Sequence, residues 1–329
     1  MKKFLIALLC LLFVAPFSFV GCKDDDSNVV KVCEVTHSVF YAPLYIAINN
    51  GYFEDYGIEI ELSNGGGADK CMNALVSKSA DIALMGPEAT IYVANQGKED
   101  MPVVFGQLTQ RDGSFIIGRE QVSNFSWDML NNKEILGGRR GGVPAMTLEY
   151  AIEKNNVQNC TINYDVAFDN LTSAFIGGTG DFVTAFEPTA SQLVATGNCY
   201  ILGSVGAETG EIPYTAFTAN RSYINDNKET IKNFLKAIIR GYNYLISSNM
   251  NDIITALKPS FDGTTDEMLR VSMEAYIQID AWARTPVMSQ VAYDNLMDII
   301  INSGTLTTTV DFNKVVDNSF AQEVLKDFA

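Results

Sequence analysis

Short apolar runs alternate with segments of helical periodicity along most of this chain. Residues 29–35, 82–85 and 102–108 are β-branched or continuously apolar, which is typical of strands buried on both faces. Residues 68–77 and the segment that begins at Gly86-Pro87-Glu88 carry the spacing and start signals of helices. Together they predict a parallel α/β unit. The loops at the carboxyl ends of its strands should line one crevice, where ligands bind in open parallel sheets.

The same alternation of strands and helices recurs in residues 119–213 and predicts a second parallel-rich sheet. Residues 114–118 and 214–219 are short apolar strands at the two ends of this part, and they would carry the chain between the sheets. Two crossings make a hinge between two lobes. We therefore expect an α/β clamp with a two-strand hinge, in which residues 29–118 and 214–329 form lobe 1 and residues 119–213 form lobe 2.

Residues 1–21 have the pattern of an export signal. A short basic start precedes an apolar run that ends at Gly21-Cys22. The sequence Phe19-Val20-Gly21-Cys22 resembles a lipoprotein cleavage box with Phe in place of the usual Leu. We expect lipidation of Cys22, a polar tether over residues 22–28 and an extracytoplasmic protein anchored to the cell membrane by lipid. An ordinary signal peptide beside an incidental cysteine is the alternative.

The charge of the chain limits the possible partners. Its formal net charge is −16, which argues against nucleic acid or an anionic membrane surface as a partner. Hydrophobic residues make up 47% of the sequence and charged residues 19%, so a folded core is expected. The length suffices for two domains of ordinary size. We expect a monomer that contacts the membrane only through its lipid.

Six cysteines are present, of which two belong to the signal and the lipidation site. The other four, Cys33, Cys71, Cys160 and Cys199, allow three disulfide connectivities, and outside the cytoplasm disulfides are common. Pairing Cys33 with Cys71 and Cys160 with Cys199 would keep each bond within one lobe, but free buried thiols are the alternative. With one histidine and no CxxC pair, neither a metal site nor a cofactor is expected.

Three segments carry a family resemblance: GYFEDYGIEIEL, the glycines at 65–67, and ALVSKSADIALMGPEAT. They resemble the solute-binding proteins of ABC importers in the branch of thiamine-pyrimidine, nitrate, sulfonate and taurine binders. The resemblance implies a type II periplasmic-binding-protein fold and, as partners, a permease and an ATPase. It also implies binding without catalysis. The related pyrimidine synthases use a cysteine-rich motif and several histidines, which this chain lacks.

Candidate ligand contacts come from the resemblance and from strand ends. The resemblance implies that the loop after residue 35 and the segment 86–90 contact the ligand, and the glycines at 65–67 before a helix let the backbone come close to it. In the turn 137–142, exposed N–H groups before a helix suit an anion or an electron-rich ring atom. The candidates are Thr36, His37, Ser38, Tyr41, Gly66, Gly86, Glu88 and Thr90 in lobe 1, and Arg140, Gly141, Gly142 and Glu187 in lobe 2.

Several of these residues also have a structural interpretation. Glu88 would stabilise a helix dipole from the first turn. His37 would be a hydrogen-bonded loop residue, and Tyr41 would pack in the core. Of the adjacent Arg139 and Arg140, only one is expected to face the cleft.

The ligand class follows from the candidate side chains. Two carboxylates, Glu88 and Glu187, favour a neutral or cationic nitrogen heterocycle such as a thiamine-type pyrimidine. The arginines and the glycine turn favour a small anion such as a sulfonate, nitrate or aromatic carboxylate. The heterocycle is preferred, because an anion would meet both carboxylates in one cleft. A ligand sensor for a membrane receptor is the alternative of a different class.

Overall fold

A computed structural model describes residues 28–97 and 100–328 of the chain. The predicted signal segment, Cys22 and all but the last residue of the predicted tether lie outside these residues. Within them, no helix is both long enough and apolar enough to cross a bilayer.

The first part of the chain alternates strands with helices as its hydrophobic pattern predicts. Strand β3 matches its prediction residue for residue, because an apolar run bounded by Asp81 and Gly86 leaves little choice of ends. The elements are β1 (Val29–Glu34), α1 (Ala42–Asn49), β2 (Glu59–Asn64), α2 (Ala68–Val76), β3 (Ile82–Met85), α3 (Pro87–Asn95) and β4 (Pro102–Thr109).

The middle part repeats the pattern, and β5 matches its prediction. Its elements are β5 (Ser114–Gly118), β6 (Glu134–Leu136), α4 (Val143–Lys154), β7 (Thr161–Asn163), α5 (Leu171–Ile176), β8 (Phe182–Phe186), α6 (Thr189–Ala195), β9 (Tyr200–Ser204) and α7 (Val205–Thr209).

The last part returns through one strand and is otherwise helical. Its elements are β10 (Thr215–Asn220), α8 (Arg221–Asp226), α9 (Lys228–Ser247), α10 (Met250–Leu257), α11 (Asp266–Gln278), α12 (Gln290–Asn302), α13 (Phe312–Val315) and α14 (Ser319–Val324).

These strands form two five-stranded, parallel-rich sheets, as predicted. The first has the order β2-β1-β3-β10-β4, with β1 parallel to β2 and β3 and with β10 antiparallel to both neighbours. The second has the order β7-β6-β8-β5-β9, with β6 parallel to β7 and β8 and with β5 antiparallel to both neighbours. Each sheet therefore contains one reversed strand at a chain crossing.

The lobe boundaries themselves remain a prediction, but sheet membership favours a shift of the first one. Strand β5 hydrogen-bonds within the second sheet, whereas residues 114–118 were placed in lobe 1. A boundary between Thr109 and Ser114 would keep each sheet in one lobe. The return boundary, just before β10, needs no shift.

Helix α9 covers the first sheet through one apolar face. It buries Ile231, Phe234 and Leu235 and packs against α1. Gly241 permits this approach, because a Cβ there would lie 2.1 Å from the Pro43 carbonyl oxygen. The helix thus fixes the position of α1 and of the loop that precedes it.

The sequence predicts that the helices near 265–279 and 290–303 pack on the outside of lobe 1, but the structure places them against elements of both sheets. Helix α11 contacts α6, and α12 contacts α4, so both reach elements of the second sheet. The Tyr276 hydroxyl of α11 donates to the Gly113 carbonyl at 3.2 Å and accepts from the Glu187 N–H at 2.9 Å. These helices therefore connect the two sheets.

Candidate functional site

A cavity of about 240 Å³ lies where loops from the two sheets meet. One wall consists of loops that follow β1, β2 and β3 at their carboxyl ends, and the other consists of the loops that follow β6 and β7. This is the position in which α/β sheets bind ligands. The lining residues fall in the segments 35–36, 66–70, 86–88, 139–144 and 164–168, together with Tyr41, Phe186, Tyr214 and Thr215.

The Glu88 carboxylate is a buried acidic group of this cavity with one unpaired oxygen. Its side chain is 1% exposed, and its Oε1 accepts a hydrogen bond of 3.3 Å from the Val143 N–H. Among the described residues its Oε2 has no hydrogen-bond partner. Burial raises the pKa of Glu88 to about 7, against the opposing effects of the Val143 N–H and of Arg139. An unpaired buried acceptor is costly, so a ligand that bonds to Oε2 would gain from it.

The turn after β3 holds this carboxylate in place. Pro87 occupies the first position of α3, and Glu88 lies in its first turn. A Cβ on Gly86 would lie 2.0 Å from Glu88 Oε2, so a larger residue here would displace the carboxylate from its present position. The Gly-Pro-Glu sequence therefore fixes the helix start and the orientation of the acid together.

Aromatic side chains form much of the remaining wall. Tyr41, Tyr164, Phe168, Phe186 and Tyr214 all line the cavity. The ring centroids of Phe168 and Phe186 are 6.1 Å apart, and those of Phe186 and Tyr214 are 6.2 Å apart. Rings at such spacings offer flat apolar surfaces on which a planar ligand can stack.

The two cations on the cavity wall are each paired with a carboxylate from the opposite wall. Arg139 Nε lies 3.3 Å from Asp69 Oδ1, and Lys70 Nζ lies 3.2 Å from Asp169 Oδ2. Asp165 also lines the cavity and is exposed to solvent. The cavity wall therefore carries an excess of carboxylate.

The structure brings half of the predicted site residues to the cavity. Their loops follow strands whose ends the sequence predicts within two residues. The residues that line it are Thr36, Tyr41, Gly66, Gly86, Glu88 and Gly142.

The other predicted residues in lobe 1 lie away from this cavity. His37 lines an adjoining compartment of about 260 Å³, and its Nδ1 and Nε2 lie 2.9 Å from Glu34 Oε1 and 2.6 Å from the Ser260 carbonyl oxygen. The Ser38 hydroxyl donates to the Glu187 carbonyl and accepts from the Phe40 N–H. Thr90 is buried, and its hydroxyl oxygen lies 3.4 Å from the hydroxyl oxygen of Thr218.

Three predicted residues in lobe 2 also fall outside the lining. The Arg140 guanidinium stacks 4.0 Å from the centre of the Tyr164 ring, and the arginine that lines the cavity is Arg139, which was not among the predicted site residues. Gly141 contributes its carbonyl to the Tyr92 hydroxyl, at 2.8 Å. Glu187 is fully buried and directs its carboxylate to Ser191 and Ser272 instead of the cleft.

Sequence reasoning missed the segment 164–168, which supplies Tyr164 and Phe168 to the wall. Residues 161–166 read as one strand, but β7 ends at Asn163 and the chain then enters the cavity. The Asn163 side chain marks this end, because its Oδ1 accepts from the Asp165 N–H at 2.9 Å. An Asn side chain often accepts from the backbone N–H two residues later and so starts a turn, and Asn163 was the signal in the sequence that the strand ends here.

The four cysteines are free thiols in this structure. The hypothesised disulfides are therefore not formed in it, although the sulfurs of Cys33 and Cys71 lie 3.2 Å apart. Cys160 and Cys199 belong to different apolar clusters. The described residues contain no group of three or more potential metal-ligating side chains.

Two α/β sheets with a ligand-sized cavity between their strand ends define the periplasmic-binding-protein fold, the class of the extracytoplasmic solute-binding proteins. A solved structure of this fold is the ligand-binding component of an ABC-type import system from Staphylococcus aureus with zinc bound. It matches with a TM-score of 0.74 at 12% identity, over 90% of this chain and 99% of that chain. Similarity at this level establishes the fold and leaves the ligand open.

The chain belongs to the NMT1/THI5-like family, whose sequence model matches residues 39–249. It is 38% identical to the putative binding protein YtlA of Bacillus subtilis, over 94% of both chains. It is 21% identical to the formylaminopyrimidine-binding protein of Halalkalibacterium halodurans, over 91% of this chain and 100% of that protein.

Proposed function

We propose that this protein is the solute-binding component of an ABC importer and that it captures a small amino-substituted nitrogen heterocycle of the pyrimidine type. The observation that carries this proposal is the buried, unpartnered Oε2 of Glu88 on the cavity wall. A ligand N–H group would supply the hydrogen bond that this oxygen lacks.

The protonation of Glu88 suits such a ligand. With a pKa near 7, its carboxyl group can ionise and accept from an amino group, or stay protonated and donate to a ring nitrogen. Aminopyrimidines offer both kinds of atom side by side. The aromatic wall would stack against the ring, and hydrogen bonds to a charged acceptor are worth about 1.5–3 kcal/mol.

A small anion fits the same cavity less well. Arg139 and Lys70, the cations on its wall, are already paired with Asp69 and Asp169. An anion would also lie close to the free oxygen of Glu88 and would need to break one of these ion pairs. The distant relative that is named for formylaminopyrimidine supports the heterocycle further.

Binding would stabilise a closed form of two lobes. Contacts across the cavity already join the walls, through Glu88 with Val143 and Tyr92 with Gly141. A ligand that touches both walls binds this form better and shifts the population toward it. A permease and an ATPase would then receive the ligand, with the protein held at the membrane through lipid on Cys22.

A thermal-shift screen tests the proposal. Aminopyrimidines, alkyl sulfonates, nitrate and aromatic carboxylates are compared, each at pH 7. A ligand present at about 100 times its dissociation constant adds about 2.7 kcal/mol of stability. We expect stabilisation by an aminopyrimidine that falls to about half in the Glu88→Gln variant at the same ligand concentration and that the remote surface variant Asp266→Asn retains in full. Stabilisation by a sulfonate or nitrate alone would contradict the ligand class, and small-angle scattering without compaction would contradict closure.

A further inference from the structure

Two cysteines meet under the glycine turn of the cavity. Cys33 lies near the end of β1 and Cys71 in the first half of α2, and their sulfurs are 3.2 Å apart. Their side chains are 3% and 0% exposed, within a small apolar cluster that also contains Ala83 and Met85. Two buried thiols at this distance, one on a strand and one on a helix, are positioned to form one covalent bond.

The turn above the sulfurs is built to accommodate them. A Cβ on Gly65 would lie 2.6 Å from Cys71 Sγ and 3.1 Å from Cys33 Sγ, so the backbone at this residue rests directly on the pair. The Gly65 N–H donates to the Glu34 carbonyl at 2.8 Å, which fixes the turn to the end of β1. The next residues, Gly66 and Gly67, line the cavity.

We propose that Cys33 and Cys71 form a disulfide in the exported protein and that this bond braces the ligand-binding turn from below. A disulfide has a sulfur separation of about 2.05 Å, so the two sulfurs need to approach by roughly 1.2 Å. Extracytoplasmic proteins meet the oxidants that make such bonds. The proposal requires export but does not depend on which ligand the cavity takes.

The chemistry needs a disulfide-bearing oxidant, such as an extracytoplasmic thiol–disulfide oxidoreductase. The thiolate of one of the two cysteines attacks one sulfur of the oxidant, forms a mixed disulfide with it and releases the other sulfur of the oxidant as a thiol. The thiolate of the second cysteine then attacks the cysteine sulfur of the mixed disulfide, so that Cys33 and Cys71 together lose two electrons and two protons and the oxidant gains them. Because both sulfurs are buried in the folded protein, the exchange takes place before folding is complete.

Thiol counting on the exported protein tests the proposal without a ligand or a variant. Cells are quenched with an alkylating reagent, and the protein is denatured and analysed by peptide mass spectrometry before and after reduction. We expect alkylation of Cys160 and Cys199 at once, and of Cys33 and Cys71 only after reduction. Alkylation of all four without reduction, or a peptide that joins Cys33 or Cys71 to Cys160 or Cys199, would overturn the proposal.

A stability measurement supplies a second readout. The bond would close a loop between residues 38 positions apart, and loops of this size lower the entropy of the unfolded chain. Reductant should lower the melting temperature of the wild type by roughly 5–10 °C. Cys160→Ser should respond in the same way, and Cys33→Ser with Cys71→Ser should not respond. An equal response in the double variant would place the effect elsewhere.

Discussion

The turns after β3 and β8 are built alike and place a buried glutamate differently. In each, a glutamate adjoins a proline at the start of a helix, and burial raises its pKa. Glu187 accepts from the Ser191 N–H and hydroxyl, both at 3.0 Å, and from the Ser272 hydroxyl at 3.2 Å. Among the residues that the structure describes, Glu88 accepts a hydrogen bond from the Val143 N–H alone and has one free oxygen at the cavity. Hydrogen-bond satisfaction thus separates a structural acid from a binding acid.

Removing the satisfied acid should have the largest effect on stability. Glu187→Ala leaves the polar groups of Ser191 and Ser272 without their acceptor in a buried site. We expect a loss of about 2–4 kcal/mol in the free energy of unfolding, measured with urea. Ligand affinity should change less than threefold. Unchanged stability together with lost affinity would reverse the roles that we assign to the two acids.

The unsatisfied acid should make stability depend on pH. The pKa of Glu88 lies near 7 in the folded protein, above its ordinary value of 4.5. Its contribution is therefore fully present below about pH 4.5 and is lost as the pH rises through 7. Between pH 5 and 8 the unliganded wild type should lose on the order of 2 kcal/mol more than Glu88→Gln. Urea unfolding at both pH values measures this difference, and parallel pH profiles would refute it.

Glu88 should matter more than Glu187 for ligand affinity, although Glu187 matters more for stability. Glu88→Gln keeps the size of the side chain but replaces a charged acceptor by a neutral one. We expect the dissociation constant of an aminopyrimidine to rise about tenfold, which corresponds to about 1.4 kcal/mol. Glu187→Gln serves as the matched control and should leave the constant within threefold. Equal losses in both variants would show that neither contact is specific.

The smallest predicted effect is the difference in ligand affinity between variants of the two adjacent arginines. Arg139 pairs with Asp69 across the cavity, whereas Arg140 stacks on Tyr164 outside the lining. Because the ion pair is partly exposed, Arg139→Ala should weaken binding only about twofold to fivefold. Arg140→Ala should have less effect. Calorimetric titration of both variants measures the difference, and a larger loss for Arg140 would favour a cavity arrangement other than this one.

The sequence predicts the first wall of the cavity better than the second. The apolar run between Asp81 and Gly86 has one plausible length, so the sequence predicts the bounds of β3. It therefore also predicts that Gly86 and Glu88, which come just after the strand, lie at the cavity. Beyond Thr161 the alternating apolar positions Ile162, Tyr164 and Val166 continue the pattern of a strand past the end of β7, and the Asn163 turn is what reveals that the chain leaves the sheet.

Side-chain direction is what the sequence could not supply. Nothing local distinguishes Arg139 from Arg140, because their roles depend on Asp69 and on Tyr164, which are distant in the chain. Glu187 likewise turns away from the cleft because Ser272 of α11 reaches it from a helix that the hydrophobic pattern places elsewhere. Tertiary contacts of this kind decide which strand-end residues face a ligand.

The most direct test of the binding role of Glu88 is a calorimetric comparison of an aminopyrimidine with the same ring lacking its amino group. In the wild type the amino group should improve affinity at least tenfold, because it supplies the N–H that Glu88 Oε2 lacks. In Glu88→Gln most of that difference should disappear. An amino-group contribution of the same size in both proteins would contradict the assignment of Glu88 as the ligand-binding acid.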